Sequence, residues 1–307
     1  MDKKLNVLHF SEINRYAIQS YCAIHNIKEE KNLGDISKVD MDILPKNITL
    51  ITHGSPCTDF SRAGRQKGGD KDSGTASSLM WYSVDMIEKV KPKFVIWENV
   101  DNVLSDRHIH NFDAYIAELD EIGYNSYFKI YNSLDFNIPQ SRKRVFVISV
   151  LRGVDKGFRH PKGVTRTAVL NDFLEKDVDD SFYDIYAITD KIQTRIVEKD
   201  YVGTLCASDS FNPKFVWDDK GLRKFTAREY WRLQGYSDSD FDKALNTGIP
   251  YYELYRQAGN AITYNVIYEI LKSIIDRYGE AFTDNFEYIS LFSGIGTFEM
   301  ALRDLLL

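Results

Sequence analysis

Three short segments carry side chains that could do covalent chemistry, and each lies beside an apolar run with the composition of a strand. They are Cys57 after the run 48–52, Glu98 after the run 94–97, and Arg142 with Arg144 before the run 145–150. A cysteine thiolate is a nucleophile, and nearby arginines would lower the pKa of its thiol. A glutamate at the end of an apolar strand is costly to bury unless it is paired or functional. Taken singly, Cys57 could equally be a small buried hydrophobic residue, and Glu98 an exposed carboxylate.

A glycine-containing turn late in the chain could bind a nucleotide-like ligand. Phe292-Ser293-Gly294-Ile295-Gly296 lies between an apolar run, 288–291, and an amphipathic stretch, 298–307. A strand, a tight turn and a helix N-terminus bring together free backbone N–H groups and the positive end of the helix dipole. In an ordinary open α/β domain such a turn comes near the beginning of the chain. Its late position indicates that the order of the elements has been rotated.

Alternating strand and helix signals place these side chains in an α/β domain. Strands are predicted at 5–10, 48–52, 94–97 and 145–150, and helices at 13–25, 79–89 and 109–122. A βαβα order is typical of a doubly wound, mostly parallel sheet with helices on both faces. Ligands of such sheets bind at the carboxyl ends of the strands, which is where Cys57 and Glu98 stand.

The alternation breaks down from Gly153 to about Arg223, where short polar segments with glycine, proline and aspartate take over. Helical patterns return at 226–233, 239–245 and 262–278. We therefore predict a catalytic domain in two parts, 1–152 and 223–307, with a smaller lobe, 153–222, between them.

The bulk composition excludes several classes of protein. The 307 residues are 43% hydrophobic and 27% charged, with no apolar run long enough to cross a bilayer and no secretory signal. Three scattered cysteines are too few for a disulfide framework or a zinc cluster, so we expect no metal site and a reducing compartment such as the cytoplasm. The net charge of −6 argues mildly against unspecific nucleic-acid binding, although basic residues cluster at 62–71, 142–144 and 152–166.

Six motifs together resemble those of the DNA cytosine-5 methyltransferase family along nearly the whole chain. They are Pro56-Cys57 with Phe60-Ser61, Glu98-Asn99-Val100, Gln140-Ser141-Arg142-Lys143-Arg144, the segment 225–236, Gln257-Ala258-Gly259-Asn260-Ala261 and the glycine turn 292–296. The resemblance implies a Rossmann-like sheet that binds S-adenosylmethionine, with a target-recognition lobe. It also implies DNA (cytosine-5-)-methyltransferase activity, with S-adenosylhomocysteine as the product of the cofactor.

The order of these motifs departs from the usual arrangement of the family. The glycine turn usually comes first and the Gly-Asn motif last, whereas here the helix 262–278 leads through 279–287 into the glycine turn. Joining 302–307 to 1–10 would restore the usual succession of helix and strand. We interpret the chain as a circularly permuted member whose termini lie in a surface loop between the first helix and the second strand.

The resemblance assigns roles to the groups described first. Cys57 would add to carbon 6 of cytosine, because carbon 5 is a poor nucleophile until the ring becomes an enamine. Glu98 would hold ring N3 and the exocyclic amine, and Arg142 and Arg144 would orient the base and an adjacent phosphate. Further residues are expected to bind the substrate: Pro56, Asn99, Ser61, Gln140 and Thr204.

The resemblance also implies a set of cofactor-binding residues. Glu12 would accept the ribose hydroxyl protons, with Ile13 beside the adenine and Asp35 and Ile36 at its edge. The methionine part would lie against the glycine turn, and three further residues would close the pocket. The residues of the glycine turn are Phe292, Gly294 and Gly296, and the residues that would close the pocket are Leu79, Asn260 and Ile262. Without this context, Glu12 could be an ordinary acidic residue at a helix N-terminus.

Recognition of double-stranded DNA would involve two further segments. The target atom is inaccessible in a stacked duplex, so the base flipping of the family is expected here. The glycine-rich and basic segment 61–78 could close over the DNA, and Thr204-Leu205 resembles an element of family recognition lobes. Thr58 follows the cysteine where many members have glutamine; we expect this to change loop contacts without loss of activity.

Two other functions remain open at this point. One eukaryotic branch of the family methylates tRNA, so an RNA cytosine-5 methyltransferase is an alternative that the substantial lobe disfavours. A non-catalytic DNA-binding subunit is another, although it would not need a nucleophile. The leading hypothesis is a monomeric bacterial or phage enzyme in the cytoplasm of a bacterial cell or phage-infected host, acting as an orphan or beside a restriction endonuclease that recognises the same site.

Overall fold

A computed structural model describes residues 6–46, 48–62, 64–183, 185, 189–282 and 286–306. Several parts of the predictions lie outside the described residues: Met1–Leu5 and Leu307 of the junction, and 184 and 186–188 of the lobe. Within the described ranges there are eleven strands and nine α-helices. The strands are β1 (Asn6–Ser11), β2 (Leu50–His53), β3 (Phe94–Val100), β4 (Tyr124–Asn132), β5 (Gln140–Ser141), β6 (Lys143–Leu151), β7 (Ile196–Val197), β8 (Val202–Gly203), β9 (Phe215–Asp218), β10 (Gly221–Lys224) and β11 (Glu287–Leu291). The helices are α1 (Arg15–His25), α2 (Met80–Val90), α3 (Ile109–Glu121), α4 (Asp190–Gln193), α5 (Ala227–Arg232), α6 (Asp238–Leu245), α7 (Tyr251–Asn260), α8 (Tyr264–Tyr278) and α9 (Thr297–Leu306).

Six of the described strands form the central sheet, in the order β1-β11-β2-β3-β6-β4. The pairs β1–β11, β11–β2 and β2–β3 are parallel, whereas β6 is antiparallel to both β3 and β4. β11 follows the other ten strands in the sequence and yet lies inside the sheet, between β1 and β2. The predicted doubly wound, mostly parallel sheet is confirmed, with β6 as the antiparallel member.

Apolar side chains cover both faces of this sheet. In β3, Phe94 and Ile96 join one apolar layer and Val95 and Trp97 join the other, as the alternation of side chains along a strand requires. Helices α8 and α9 contribute to the first layer, and α2 and α3 to the second. A sheet buried on both faces explains why β2 and β3 read as continuous apolar runs in the sequence.

The segment between β6 and α5 does not build a core of its own. Its residues Val202, Leu205 and Val216 pack in one apolar cluster with Trp231 of α5 and Leu254 of α7. In the described part of this segment, β7, β9 and β10 form a small sheet and β8 pairs with β5. The segment is therefore fastened to the helices that follow it in the chain.

A buried ion pair reinforces this connection. Arg223 of β10 and Glu229 of α5 are both fully buried, and Arg223 Nη2 donates to Glu229 Oε1 at 2.7 Å. The same carboxylate accepts from the backbone N–H of Thr226 at 2.9 Å and of Glu175 at 2.8 Å. Arg223 also pairs with Asp218. The buried charges of Arg223 and Glu229 are therefore balanced by each other, by Asp218 and by hydrogen bonds from backbone N–H groups.

Several observed elements differ from the predicted ones, and α4 and the short strands β5 and β7–β10 were not predicted. Helix α1 begins at Arg15 rather than at residue 13, because Asn14 caps it by accepting from the N–H of Tyr16 at 2.9 Å. Strand β4 was not predicted, since it lies at the sheet edge and buries few of its side chains. Helix α7 was not predicted either. No helix in the described ranges is both long enough and apolar enough to cross a membrane.

Candidate active site

A cavity of about 370 Å³ lies at the carboxyl ends of β1, β11, β2 and β3. Most of the predicted site residues line it: Pro56, Cys57, Glu98, Arg142, Arg144, Glu12, Ile13, Asp35, Ile36, Leu79, Asn260, Ile262, Phe292 and Gly294. The predicted residues outside its lining are Ser61, Asn99, Gln140, Thr204 and Gly296. The groups predicted to react and the groups predicted to hold the cofactor therefore share one space.

A tight turn presents the Cys57 side chain at the end of β2. The carbonyl of Cys57 accepts from the N–H of Phe60 at 3.0 Å and of Ser61 at 2.7 Å. On the other side of the cysteine, Ser55 Oγ accepts from Trp97 Nε1 at 3.0 Å. The half-buried thiol is held between a short turn and the neighbouring strand, which limits the positions that its sulfur can take.

A buried ion pair lies beside this thiol. Glu98 at the end of β3 is 8% exposed, and its Oε1 lies 3.1 Å from Nε of Arg144 at the start of β6. Burial raises the pKa of the Glu98 carboxyl above its ordinary value, although Arg144 and Arg142 act in the opposite direction. A carboxyl whose pKa is raised gives up its proton less readily than an ordinary glutamate does, and it is suited to share a proton with a ring nitrogen.

Arg142 is almost fully buried and is engaged with backbone carbonyls. Its Nη1 donates to Leu205 at 2.9 Å, and its Nη2 donates to Gly259 at 3.1 Å and to Ala261 at 2.6 Å. Its Nε has no hydrogen-bond partner among the described residues. Burial lowers the pKa of Arg142 to about 9. The side chain thus joins the segment after β8 to the end of α7, and its Nε is a buried N–H group without an acceptor among the described residues.

The predicted residues outside the cavity lining also make connections. Gln140 Nε2 donates to the carbonyl of Leu233 at 2.8 Å, and the Thr204 hydroxyl donates to the carbonyl of Ser141 at 2.8 Å. Asn99 Nδ2 donates to the carbonyl of Ser55 at 3.2 Å. These three side chains hold the walls of the site in their relative positions.

Glu12 joins the two cofactor segments, which lie at opposite ends of the sequence. Its Oε1 accepts from the N–H groups of Ile13 and Asn14, both at 2.8 Å, and its Oε2 accepts from the N–H of Gly294 at 2.9 Å. A carboxylate offers about four acceptor positions. Glu12 therefore orders the glycine turn, and about one of its acceptor positions is left for a hydroxyl proton.

Comparison with known proteins decides the family. The family model described as C-5 cytosine-specific DNA methylase matches residues 1–201 and 186–276. The chain belongs to this family. Type II methyltransferase M2.ScrFI of Lactococcus lactis subsp. cremoris is 34% identical over 264 residues, which cover 80% of this chain and 72% of that protein. Orphan methyltransferase M.SPRI of Bacillus phage SPR is 26% identical, over 88% of this chain and 92% of that protein.

Solved structures agree on the fold of this methylase. The Dnmt2 methyltransferase of S. pombe superimposes with a TM-score of 0.66 at 20% identity, over 88% of this chain and 90% of that one. The methyltransferase EhMeth of Entamoeba histolytica gives a TM-score of 0.60 at 18% identity, over 89% and 99% of the two chains. The predicted family, fold class and DNA (cytosine-5-)-methyltransferase activity are confirmed, and membership of the family implies S-adenosylmethionine as methyl donor.

The cavity of the methylase fits this donor. Glu12 and Asp35 offer carboxylates for hydroxyl groups, and apolar side chains of Ile13, Ile36 and Phe292 line the same space. A Cβ atom on Gly54 would lie 3.4 Å from Glu98 Oε2 and 3.8 Å from Ile262 Cδ1. The absence of a side chain at Gly54 therefore leaves the space between the Glu98 carboxyl and Ile262 open.

Sequence reasoning missed two residues that order this site. Asn32 Oδ1 accepts from the N–H groups of Glu12 and Gly34, both at 3.0 Å, and so fixes the Glu12 segment. Ser77 bonds to the loop that carries Cys57. The position of Asn32 two residues before a glycine was a weak turn signal, whereas nothing in the sequence around Ser77 indicates its contacts.

The reactivity of the Cys57 thiol is expected to rise with pH through a midpoint above that of a free cysteine. Burial raises the pKa of this thiol, Glu98 raises it further, and Arg144 and Arg142 partly offset the rise. Only the thiolate is alkylated, so the rate with iodoacetamide should increase as the pH passes the raised pKa. Peptide mass spectrometry over a pH series would measure this rate at Cys57 alone.

Two arginine variants test whether nearby positive charge lowers the pKa of the Cys57 thiol. Arg144→Gln should move the midpoint further up, because Arg144 contributes the largest lowering of the thiol pKa. Arg152→Gln, just beyond the end of β6 opposite to Arg144 and paired with Asp120, should leave the midpoint unchanged. A Cys57 midpoint at or below that of free cysteine in the wild-type enzyme would contradict the expectation.

A methyl group at Gly296 is expected to destabilise the glycine turn strongly. Gly296 has φ +83°, and a Cβ atom there would lie 2.1 Å from Nε2 of His25, which itself bonds to the carbonyl of Ile295. Gly296→Ala should therefore cost more than the roughly 1–2 kcal/mol of left-handed backbone strain alone. Gly294→Ala is the matched comparison, since Gly294 has φ +56° and open space around its Cβ position. Urea unfolding would compare them, and equal losses would refute the steric argument.

Proposed function

We propose that this methylase modifies carbon 5 of a flipped-out cytosine in a short DNA sequence, through a covalent adduct between the base and Cys57. The observation that carries the proposal is the cavity shared by Cys57, the Glu98–Arg144 pair and the Glu12–Gly294 connection. A nucleophile (Cys57) and a proton donor (Glu98) could then act on one base, next to the residues that would hold the cofactor.

The proposed chemistry uses each group at a stated atom. The Cys57 thiolate forms a bond to carbon 6, and the electrons of the ring double bond move toward carbon 5 and N3. The raised pKa of Glu98 allows its carboxyl to protonate N3 as this charge develops. Bound S-adenosylmethionine supplies the electrophilic methyl group that carbon 5 accepts. Loss of the carbon-5 proton to a base then expels the thiolate from carbon 6, and N3 returns its proton to the Glu98 carboxylate, which leaves neutral 5-methylcytosine.

The positive side chains and the loop residues have supporting parts in this proposal. Arg144 holds Glu98 and partly offsets the rise in the thiol pKa. Arg142 lines the same cavity and would help to orient the base or its phosphate. Pro56 and Asn99 shape the base pocket, with Ser61, Gln140 and Thr204 holding the surrounding backbone. The target atom of a paired base could not enter this cavity, which favours a flipped base.

The DNA would lie between two segments of the chain. We assign sequence reading to residues 153–222, with 1–152 and 223–307 as the catalytic domain, and phosphate contacts to the basic segment 61–78. Part of that segment rests on α3, where Asn111 Oδ1 accepts from the N–H of Gly69 at 2.7 Å. Its movement toward DNA would begin by breaking such contacts.

We also infer that the chain is circularly permuted. The match to the family model ends at residue 276, before β11 and the glycine turn, and β11 nevertheless lies inside the sheet, between β1 and β2. The sequence β11–α9 followed by β1 would be an ordinary βαβ unit, because β1 is the parallel neighbour of β11. The pairing of the first strand of the chain with its last strand supports circular permutation.

The biological setting follows from the relatives. Type II and phage orphan methyltransferases are among them, so we propose a role in restriction-modification or in protection of phage DNA. A monomer in the cytoplasm of a bacterium or an infected host would serve this role, with or without an endonuclease that cuts the same sequence.

Transfer of labelled methyl groups to unmethylated genomic DNA, followed by bisulfite sequencing, tests the proposal. Methylcytosine in one short sequence context is the expected result, and it would identify the recognition site at the same time. Transfer to tRNA and not to DNA would overturn the substrate assignment. No transfer to either, by folded protein that binds the cofactor, would indicate a binding protein instead of an enzyme.

A further inference from the structure

One buried serine outside the predicted site bonds to both sides of the nucleophile. Ser77 lies in the short 3₁₀ turn Ala76–Leu79 that leads into α2, and it is 0% exposed. Its hydroxyl donates to the carbonyl of Pro56 at 2.8 Å and accepts from the N–H of Asp59 at 3.1 Å. Pro56 and Asp59 flank Cys57-Thr58, so a single hydroxyl spans the turn that presents the thiol.

The contact is reciprocal. Asp59 is buried, and its Oδ2 accepts from the N–H of Ser77 at 3.4 Å. This arrangement has the logic of a capping box, in which a side chain at each of two positions accepts from the backbone N–H of the other. Here the two residues belong to different segments, and the Asp59 N–H in the turn after Cys57 finds its acceptor in the Ser77 hydroxyl.

The turn is also fastened from the opposite side. Ser55 Oγ accepts from Trp97 Nε1, and the Ser55 carbonyl accepts from Asn99 Nδ2 at 3.2 Å. The segment 55–59 is thus held by β3 on one side and by Ser77 on the other. Without the Ser77 hydroxyl, the part that follows Pro56 would keep its own turn bonds and the long contact between Asp59 Oδ2 and the Ser77 N–H, but it would lose both hydroxyl bonds to the start of α2.

We propose that Ser77 is a positioning residue for the Cys57 thiol. This rests on the proposed function, in which the sulfur must approach carbon 6 of a base fixed by other groups. A thiol that is displaced by about 1 Å can lose about 100-fold in rate, since the geometry of attack is demanding. The hydroxyl of Ser77 fixes the two backbone positions that set this geometry.

Single-turnover kinetics of Ser77→Ala provide the test. The rate of methyl transfer and the rate of covalent capture on DNA containing 5-fluorocytosine should both fall about 10- to 100-fold. The KM for DNA and the affinity for S-adenosylhomocysteine should stay within about twofold, because Ser77 does not line the cavity. Asp59→Ala removes the reciprocal bond and should slow both rates in the same direction.

Ser83→Ala is the matched control. Ser83 of α2 is also 0% exposed, and its Oγ has no hydrogen-bond partner among the described residues. The same truncation there should leave every rate unchanged.

Capture at the wild-type rate by Ser77→Ala would overturn the positioning role, as would equal losses of cofactor affinity and rate. Loss of folding in both Ser77→Ala and Asp59→Ala would assign the pair to stability and overturn it too. Failure of the wild-type enzyme to be captured would instead refute the covalent mechanism itself.

Discussion

Cys57→Ala is expected to abolish methyl transfer while leaving the protein folded and able to bind the cofactor. Under the proposed mechanism, carbon 5 of cytosine becomes reactive only after the sulfur has added to carbon 6. Removal of the nucleophile should therefore lower the single-turnover rate by about 10⁴-fold or more, in the range seen when other enzymes lose a nucleophile. Transfer of labelled methyl groups to DNA measures the loss.

Two comparisons make this result specific. Cys22→Ala, in the middle of α1 and outside the cavity lining, should keep full activity. Calorimetric titration with S-adenosylhomocysteine should give the same affinity for Cys57→Ala and for the wild-type enzyme. Methyl transfer by Cys57→Ala at more than about 1% of the wild-type rate would refute covalent catalysis by this residue.

Glu229→Ala is expected to cause the largest loss of stability. Glu229 accepts from Arg223 and from the backbone N–H groups of Thr226 and Glu175, all in a site without solvent access to its side chain. The substitution leaves Arg223 with Asp218 as its remaining acidic partner, and it removes the acceptor of the buried Thr226 N–H and of the partly buried Glu175 N–H. Breaking such a buried pair costs about 3–5 kcal/mol of unfolding free energy. Urea unfolding followed by circular dichroism would measure it.

Controls separate the lost pairing from the loss of a side chain. Glu88→Ala, on an exposed position of α2, should change the unfolding free energy by less than about 0.5 kcal/mol. Replacing both partners by apolar residues, Arg223→Met with Glu229→Leu, should recover part of the loss, since no buried charge remains. A loss below about 1 kcal/mol in Glu229→Ala would show that the pair contributes little.

The grouping of Cys57, Glu98 and Arg144 could be predicted because it follows from topology. The carboxyl ends of parallel strands meet at one edge of a sheet, so residues that follow apolar runs come together there. The motifs added the cofactor residues, and all but Gly296 of those line the cavity. Gly296 instead lies in contact distance of Tyr21 and His25, which makes its lack of a side chain a packing requirement.

Other features depend on contacts that no local pattern records. The three carbonyls that Arg142 binds belong to Leu205, Gly259 and Ala261, which are brought together only by the folded chain. Ser77 reads as an ordinary loop serine until Pro56 and Asp59 are seen beside it. Strand β4 lacks apolar alternation because an edge strand needs little burial, and its pairing with β6 rests on backbone hydrogen bonds.

The place of β11 in the sheet has a consequence for synthesis on the ribosome. Asn6 of β1 is the register partner of Glu287, and Leu50 of β2 is the partner of Tyr288. Neither β1 nor β2 can therefore pair with β11 until that strand, which lies more than 230 residues later in the chain, has been translated. Until then two strand edges stay open in the nascent chain, and such edges favour aggregation. Pairing across so long a separation is also slow, since the loop must close before any bond forms. The cofactor site therefore cannot form before β11 and the glycine turn have been translated, and shorter translation products lack the strand that completes it.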